Sequence, residues 1–365
     1  GSLFPELQGK YVFSDFVSGV IRSITLNPDG TADTTVIGEN GTGNDLAEDV
    51  DGELYFLTSN QLRRLVPGDS QGNSSSFPAK VSEIGCFDVA DPTQPGEALI
   101  PYGLNVPFWS DGADKQRWFA IPDGESIHVN EAGDFEFPNG SLLFKNFRID
   151  GKLVETRMLA RHADGEWAGY SYEWDEAETD GHLLPRDGKD KVISNQLYSY
   201  PARGQCMQCH TAGAGRVLGP EVVQLNRTFH YPSSGMSGNQ LETYEHIGLL
   251  DAPLTAPPEA LPALPLIQDT SVPLHDRSRA YFHANCSQCH MPGESGGGSF
   301  DFRISAPDMG VVNAAPTAGD LGVPGALIVT PGDPGSSVIP LRMRSLGIDR
   351  MPPIGSHVVD WEAVT

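Results

Sequence analysis

Two short segments of the chain place two cysteines and a histidine at the same spacing, in GQCMQCHTAG and in YFHANCSQCHMPG. The residues are Cys206, Cys209 and His210 in the first motif, and Cys286, Cys289 and His290 in the second. In covalent haem attachment the two thiols of Cys-x-x-Cys-His form thioethers, and the adjacent histidine binds the iron as proximal ligand. Chance placement of five cysteines and ten histidines in 365 residues would rarely give one such motif, and far more rarely two. The spacing therefore predicts two covalently bound haem c groups.

Other uses of these cysteines stay open at this point. Each Cys-x-x-Cys pair could form a local disulfide of the thioredoxin type, and two cysteines plus a histidine could bind zinc together with a distant ligand. The histidine that directly follows both pairs fits haem attachment better. The fifth cysteine, Cys86, either pairs with a cysteine outside this chain or is a small buried apolar residue.

Met351, in DRMPPIG, is the predicted sixth ligand of the second haem iron. The two prolines that follow it fix φ and stiffen the loop that would hold its weak thioether donor on the iron. Histidine–methionine ligation leaves no open position and suits electron transfer. Met343 and Met309 are weaker candidates, because Met343 has the spacing of a helix core residue and Met309 follows the motif too closely. We expect His283 and His357 to be surface or supporting residues.

The distal side of the first haem is less well defined by the sequence. His246, in LETYEHIGLL, could turn inward from an amphipathic helix, and Met236 lies in a Ser/Gly-rich loop. His230 is a further candidate, and Lys145 would face the haem if the haem lay against the sheet that precedes the motif. An open position would make this iron a binder of small ligands, whereas six-coordination would make it an electron relay.

The elements that must position these residues follow from hydrophobic periodicity. Alternation over 8–66, with NPDG and DVDG turns, predicts a β-meander of about four strands, and the Ser/Gly/Pro-rich stretch 67–100 predicts a linker. Alternation over 101–200 predicts an antiparallel sheet, and 211–262 contains two short helical patterns. A Pro-rich tether then leads to the last segment. We expect three domains, over 1–85, 86–262 and 263–365.

Several stretches resemble known families. GKYVFSDFVSGVI (9–21) and EDVDGELY (48–55) resemble one blade of a β-propeller of the soluble sugar-dehydrogenase type, which implies further blades upstream of this chain. FPNGSLLFKNF, DGEWAGYSYEW and CMQCH resemble cytochrome c′-beta and its lysine-cross-linked, hydroxylamine-oxidising relatives. SRAYFHANCSQCH through RMPPIGSHVVDWEAV resembles class I cytochrome c domains. LIPYGLNVPFWSDGADKQRW (99–118) and LGPEVVQLNR (218–227) resemble a bacterial family that joins such a propeller to a β-domain and two c-type haem segments.

The fold class expected from these patterns is α+β and multidomain. It combines the propeller-like β-meander, an antiparallel β-domain with the first haem, and an all-α class I cytochrome c domain with the second.

Charge and composition limit the partners. A net charge of -24 argues against binding to nucleic acid or to anionic membrane surfaces, and the sequence has no long apolar run that would span a membrane.

Asp49 and Asp51 could bind calcium, although Asp-Gly turns more commonly only form the turn. The chain begins with GSLFPEL, typical of an expression scar, and has no signal peptide. We expect a piece of a longer exported protein that is periplasmic or secreted.

The function expected from the sequence is electron transfer by a dihaem cytochrome. Its donor would be a fused or docked dehydrogenase, and its acceptor a cytochrome or an oxidase. The alternative is a haem enzyme or small-ligand sensor, with an open first haem that acts on peroxide or on a small nitrogen compound.

Overall fold

The computed structural model describes most of the chain, namely residues 1–15, 20–38, 45–57, 62–66, 77–294, 296 and 300–365. Parts of the predicted N-terminal meander and the first part of the predicted linker lie outside the described residues, at 16–19, 39–44, 58–61 and 67–76.

The N-terminal region forms two separate three-stranded antiparallel sheets. The strands are β1 (Tyr11–Ser14), β2 (Ile21–Leu26) and β3 (Ala32–Gly38) in the first sheet, and β4 (Asp45–Glu48), β5 (Leu54–Leu57) and β6 (Leu62–Arg64) in the second. The prediction of a single meander of about four strands is therefore wrong. The predicted NPDG turn is present: the Gly30 amide donates to the Asn27 carbonyl, and Gly30 has a φ of 86°, which glycine adopts without strain.

The central domain is built on a six-stranded antiparallel sheet, as the alternating residues between 101 and 200 predict. The strands of this region are β7 (Ile100–Pro101), β8 (Asp114–Ala120), β9 (His128–Val129), β10 (Phe135–Glu136), β11 (Leu142–Ile149), β12 (Lys152–Arg161), β13 (Trp167–Trp174) and β14 (Gly181–Leu183). In the large sheet the order is β14-β13-β12-β11-β8-β7, while β9 and β10 form a separate small hairpin.

Each face of this sheet packs on a different part of the chain, because successive side chains in a strand point to opposite sides. On one face, Trp118, Phe144 and Tyr172 pack with Val81 and Phe87, which precede the sheet. The other face packs against the region that follows the first motif. The residues of that second core include Phe119, Leu143 and Leu159 from the sheet and Leu225, Leu241 and Tyr244 from beyond it.

Two buried glutamines fix the segment that leads into β8. The side chain of Gln240 accepts a hydrogen bond from the Gly103 amide at 2.7 Å and donates to the Gly103 carbonyl at 2.9 Å. Gln224 does the same for Val106, at 2.8 and 2.9 Å. Each amide thus replaces a neighbouring strand, which satisfies backbone groups that would otherwise be buried without partners.

Short elements follow the large sheet. They are the hairpin of β15 (Lys189–Ile193) and β16 (Gln196–Tyr200), helix α1 (Arg203–Cys209), helix α2 (Val222–Leu225), the hairpin of β17 (Thr228–Tyr231) and β18 (Met236–Asn239), and helix α3 (Gln240–His246). The two helical patterns predicted within 211–262 correspond to α2 and α3. Single turns of 3-10 helix lie at Pro5–Leu7, Val81–Glu83, Pro258–Ala260 and Pro334–Ser336.

The C-terminal segment is not the all-α domain that the sequence predicts, so the predicted fold class is wrong on this point. Its helices are α4 (Leu274–Cys286), α5 (Val338–Arg344) and α6 (Trp361–Val364), of thirteen, seven and four residues. Between α4 and α5 the described chain runs in turns, with isolated bridges that pair Val312 with Val329 and Leu327 with Ser337. This stretch is rich in Gly and Pro, which disfavour helix interiors. The molecule is mainly β-sheet with short helices.

A buried aspartate joins the C-terminal segment to the central domain. Asp111 is 2% exposed, and its carboxylate accepts hydrogen bonds from the backbone amides of His357 and Val358. Nearby, the Trp109 amide donates to the Asn285 side chain on α4 at 2.7 Å. The stretch WSDGADK therefore contacts the C-terminal segment.

Candidate haem sites

Helix α1 brings the first Cys-x-x-Cys-His motif onto the central sheet. Its first turn is closed by a hydrogen bond from the Ala202 amide to the side chain of Gln205, at 2.8 Å. Cys206 lies directly over Gly169 of β13, where an added methyl group would be only 2.6 Å from the Cys206 Sγ. The absence of a side chain at Gly169 therefore allows this close approach of helix and sheet.

His210 is held in the tautomer that an iron ligand needs. Its Nδ1 lies 2.6 Å from the carbonyl oxygen of Arg216, and because a carbonyl only accepts, Nδ1 carries the proton and Nε2 does not. The guanidinium of Arg216 returns a hydrogen bond to the His210 carbonyl at 3.1 Å. Burial, followed by the charge of Lys145, lowers the pKa of His210 to about 3. The imidazole is thus neutral, with Nε2 available to a metal.

A cavity of about 530 Å³ adjoins this motif, and we call it the first cavity. Cys206, Cys209 and His210 form part of its wall, so both thiols and the imidazole adjoin the same cavity. This arrangement and volume fit a haem held by two thioethers and a proximal histidine. The large sheet supplies another wall, and helix α4 a third.

The sheet wall of the first cavity contains a row of three cations, which we call the cationic row: Arg117, Lys145 and Arg157. Lys145 on β11 pairs directly with Arg117 on β8 and with Arg157 on β12, so the three side chains share one face. Apolar residues flank the row, with Leu143 on one side and Phe147 on the other. Neighbouring like charges on a sheet are destabilising, so this row requires an explanation beyond folding.

Of the four candidates for the distal ligand of the first haem, the structure places one, Lys145, in the wall of the first cavity. Lys145 lines the first cavity, as expected if the haem lies against the sheet. His246, at the end of α3, and His230, on β17, are exposed, and Met236 on β18 is 69% exposed. None of these three lines the cavity, so their predicted role as ligands finds no support in their positions.

His283, expected to be a surface or supporting residue, is a half-buried part of the first cavity wall. The Ile304 amide donates to its Nδ1 at 3.2 Å, so its Nε2 carries the proton and donates to Glu221 at 2.9 Å. Both ring nitrogens are thus engaged by the protein. The sequence contains one signal for this position: His283 lies one helical turn before Cys286, so both residues lie on the same side of α4.

The second motif ends helix α4 and begins a tight turn. The His290 amide donates to the Cys286 carbonyl at 2.9 Å, and the His290 ring meets the Phe302 ring edge-on at 5.5 Å between centroids. Cys286 packs against an apolar cluster that includes Phe302 and the buried Met309. Burial raises the pKa of the Cys286 thiol to about 12. Cys286 and His290 here adjoin apolar side chains, which suit a second haem.

Met351 lies in the loop between α5 and α6 and is half-buried. Its backbone amide donates to the carbonyl of Arg342 on α5 at 3.2 Å, and the Arg350 side chain donates to Pro353 at 3.2 Å. These bonds anchor the loop. The role of Met351 as iron ligand stays a prediction. Of its rivals, Met343 lies on α5, and His357 adjoins Asp111.

The two motifs are in direct contact. The Cys289 thiol donates a hydrogen bond to the Gln208 carbonyl of the first motif at 3.7 Å. It also lies beside the Cys209 thiol, and this interaction raises the pKa of Cys209 and lowers that of Cys289. The Thr211 hydroxyl donates to the Gln288 carbonyl at 3.4 Å. Helix α4, which bears the second motif, thus closes the first cavity.

Structural contacts account for Cys86 and for Asp49, the possible calcium ligand. Cys86 is partly buried against the core on the far face of the sheet. Asp49 accepts hydrogen bonds from the amides of Asp51 and Glu53 at 2.9 Å, so its carboxylate shapes the turn before β5. Within the described part of the chain, no three or more His, Cys, Asp or Glu side chains gather as metal ligands. No helix among the described residues is both long and apolar enough to cross a membrane.

Comparison with models of protein families, with curated proteins and with solved structures found no match for this chain. The family resemblances seen in the sequence therefore stay predictions.

Proposed function

We propose that this chain is a dihaem c-type cytochrome that transfers electrons. The observation that supports this most strongly is the contact between the two motifs, in which the Cys289 thiol donates to the Gln208 carbonyl at 3.7 Å, because it joins the two predicted attachment sites. Thioether bonds at the adjacent sulfurs of Cys209 and Cys289 would place the edges of the two haems close together. Electron exchange falls steeply with distance, so such a pair would act as one relay.

Each residue of the two motifs has a defined part in this proposal. Cys206 and Cys209 would anchor the first haem, and Cys286 and Cys289 the second. His210 and His290 would bind the two irons, with the Arg216 carbonyl orienting the His210 ring. When bound, the haems supply reversible one-electron chemistry. An apolar cluster packs against Cys286, and Met351 would complete the coordination of the second iron.

Partners and location follow from the same proposal. The donor would be a dehydrogenase, fused or docked, and the acceptor a cytochrome or an oxidase. The net charge of -24 favours acceptors with a cationic docking surface, which would be attracted over long range at low salt. Covalent haem attachment would be consistent with an exported, periplasmic or secreted protein.

A second function is favoured by one observation, the position of Lys145 in the wall of the first cavity. An amine is a weaker and more exchangeable iron ligand than a second imidazole. The first haem would then bind a small ligand, as an enzyme or a sensor, while the second passes electrons.

Electron paramagnetic resonance of the oxidised protein tests the proposal against this second function. Two low-spin ferric signals support the relay. One high-spin signal, together with carbon monoxide binding to the reduced protein, supports a small-ligand site at the first haem. The variant Cys206→Ala/Cys209→Ala assigns the signals, because it removes the first haem alone.

A further inference from the structure

The cationic row is a feature of the first cavity that the attachment of a haem to Cys206, Cys209 and His210 does not itself require. The chain as a whole has 24 basic against 48 acidic residues, so three adjacent cations on one sheet face depart from its general character. The side chains also face a cavity that would be dry once haem fills it. Unpaired charges in such a place are costly.

The protein compensates these charges only in part. Arg157 pairs with the fully buried Glu155 at 2.8 Å, and its guanidinium also stacks over Phe147 at 4.3 Å. Arg117 is 7% exposed, and its Nε has no hydrogen-bond partner among the described residues. One guanidinium nitrogen of Arg117 reaches only the Lys115 carbonyl, at 3.4 Å.

Lys145 lies at the centre of the row. The described residues include no acidic side chain in hydrogen bond or ion pair with its ammonium group. Burial lowers the pKa of Lys145 to about 7, and the charges of Arg117 and Arg157 act in the same direction. An anion between Lys145 and Arg117 would reduce the repulsion between these two cations. It would also accept the hydrogen bond for which the Arg117 Nε has no partner among the described residues.

We propose that Arg117, Lys145 and Arg157 form a binding site for a small inorganic oxyanion beside the first haem. The inference rests on the proposed attachment of a haem to Cys206 and Cys209. The guanidinium of Arg117 offers hydrogen-bond donors in a planar fork, and Lys145 offers a compact charge next to it. A ligand of one to a few atoms with delocalised negative charge, such as nitrite, fits this donor set.

Nitrite is the probe, added to the protein with its haems attached. Calorimetric titration and the visible spectrum of the first haem should both show saturable binding of one nitrite per chain. Lys145→Met and Arg117→Gln should each weaken binding about tenfold or more, since each removes a charged hydrogen-bond donor. Lys152→Met is the matched control: Lys152 is an exposed lysine on β12, and its loss should leave nitrite affinity unchanged.

Three results would overturn the inference. The first is two attached haems with no nitrite binding, which leaves the proposed function intact. The second is an equal loss of affinity in Lys152→Met, which would mean that only overall charge matters. The third is a change in the ligand-free haem spectrum, or a lower haem content, in Lys145→Met and Arg117→Gln. Either result would mean that the cationic row binds the haem propionates. A wild-type chain with fewer than two haems would instead contradict the proposed function.

Discussion

The thiol of Cys289 donates a hydrogen bond to the carbonyl of Gln208 at 3.7 Å and lies beside the thiol of Cys209, so the two Cys-x-x-Cys-His motifs meet although they belong to different parts of the fold. Helix α1 lies on the central sheet and helix α4 belongs to the C-terminal segment. The contact makes the two predicted haems a pair rather than two independent sites.

A pair of close haems should titrate as interacting centres. The oxidised form of one haem adds a positive charge beside the other, so a potentiometric titration followed by absorbance should be broader than one single-electron curve. In Cys206→Ala/Cys209→Ala the second haem should follow a single-electron curve. Cys86→Ser, which alters the only cysteine outside the motifs, should titrate like the wild type; an unchanged curve in the double variant would mean that the haems do not interact.

Met351→Ala tests the predicted sixth ligand of the second haem. The weak absorption band near the red end of the oxidised spectrum, which reports a thioether–iron bond, should disappear, and the potential should fall. Met343→Ala on α5 is the control and should keep the band. If the band survives in Met351→Ala and is lost in Met343→Ala, the ligand is Met343.

Gly169→Ala should impair the first haem site through crowding alone. The new methyl group would lie 2.6 Å from the Cys206 Sγ, and such overpacking costs about 1–3 kcal/mol. We expect a lower free energy of unfolding in urea and less haem at the first motif. Gly347→Ala is the control, because its methyl group would meet only Ser345, at 3.9 Å; equal behaviour of the two variants would mean that α1 does not lie so close to the sheet.

Glu155 should be essential to stability because it compensates Arg157. Its side chain is fully buried, pairs with Arg157 at 2.8 Å and accepts a hydrogen bond from the Tyr198 hydroxyl at 2.5 Å. Glu155→Gln leaves a buried charge unpaired and should lower the free energy of unfolding by on the order of 3 kcal/mol. Tyr198→Phe removes one hydrogen bond and should cost about 1 kcal/mol. Urea denaturation measures both, and a smaller loss in Glu155→Gln than in Tyr198→Phe would show that the pair is not buried.

Nitrite affinity should fall as the pH rises through about 7, because this is the pKa to which burial lowers Lys145. Below that pH the ammonium is charged and attracts the anion; above it the amine is neutral. The groups facing Lys145 are Arg117 and Arg157, which stay charged, Lys115 and His210, whose pKa values burial lowers, and the thiols of Cys206 and Cys209, which become uncharged thioethers. Calorimetry at about pH 6 and about pH 8.5 measures the effect, and Lys145→Met should abolish it. A wild-type affinity that is flat over this range would contradict the assigned role of Lys145.

The central sheet was predictable because its strands alternate, as in SLLFKNFRID and LVETRMLAR. The cationic row also left a local signal, since Lys145 and Arg157 each interrupt the apolar alternation at an inward position. That the two belong to one row depends on strand register, which a single sequence does not specify. The contact of Cys209 with Cys289 depends on how α4 docks, through distant groups such as Trp109 and Asn285.

The fold of the C-terminal segment, in contrast, was not predictable from its motifs. A motif, a helix before it and a methionine after it suggested an all-α domain, but the Gly/Pro-rich stretch between α4 and α5 forms turns. Short motifs define chemistry over a few residues, whereas fold class depends on the whole stretch between them.

The most direct test of the central claim is the number of c-type haems per chain, measured by the pyridine haemochrome assay against protein concentration. The wild type should have two covalently bound haems. One haem or none, in protein produced with the haem-attachment machinery present, would contradict it.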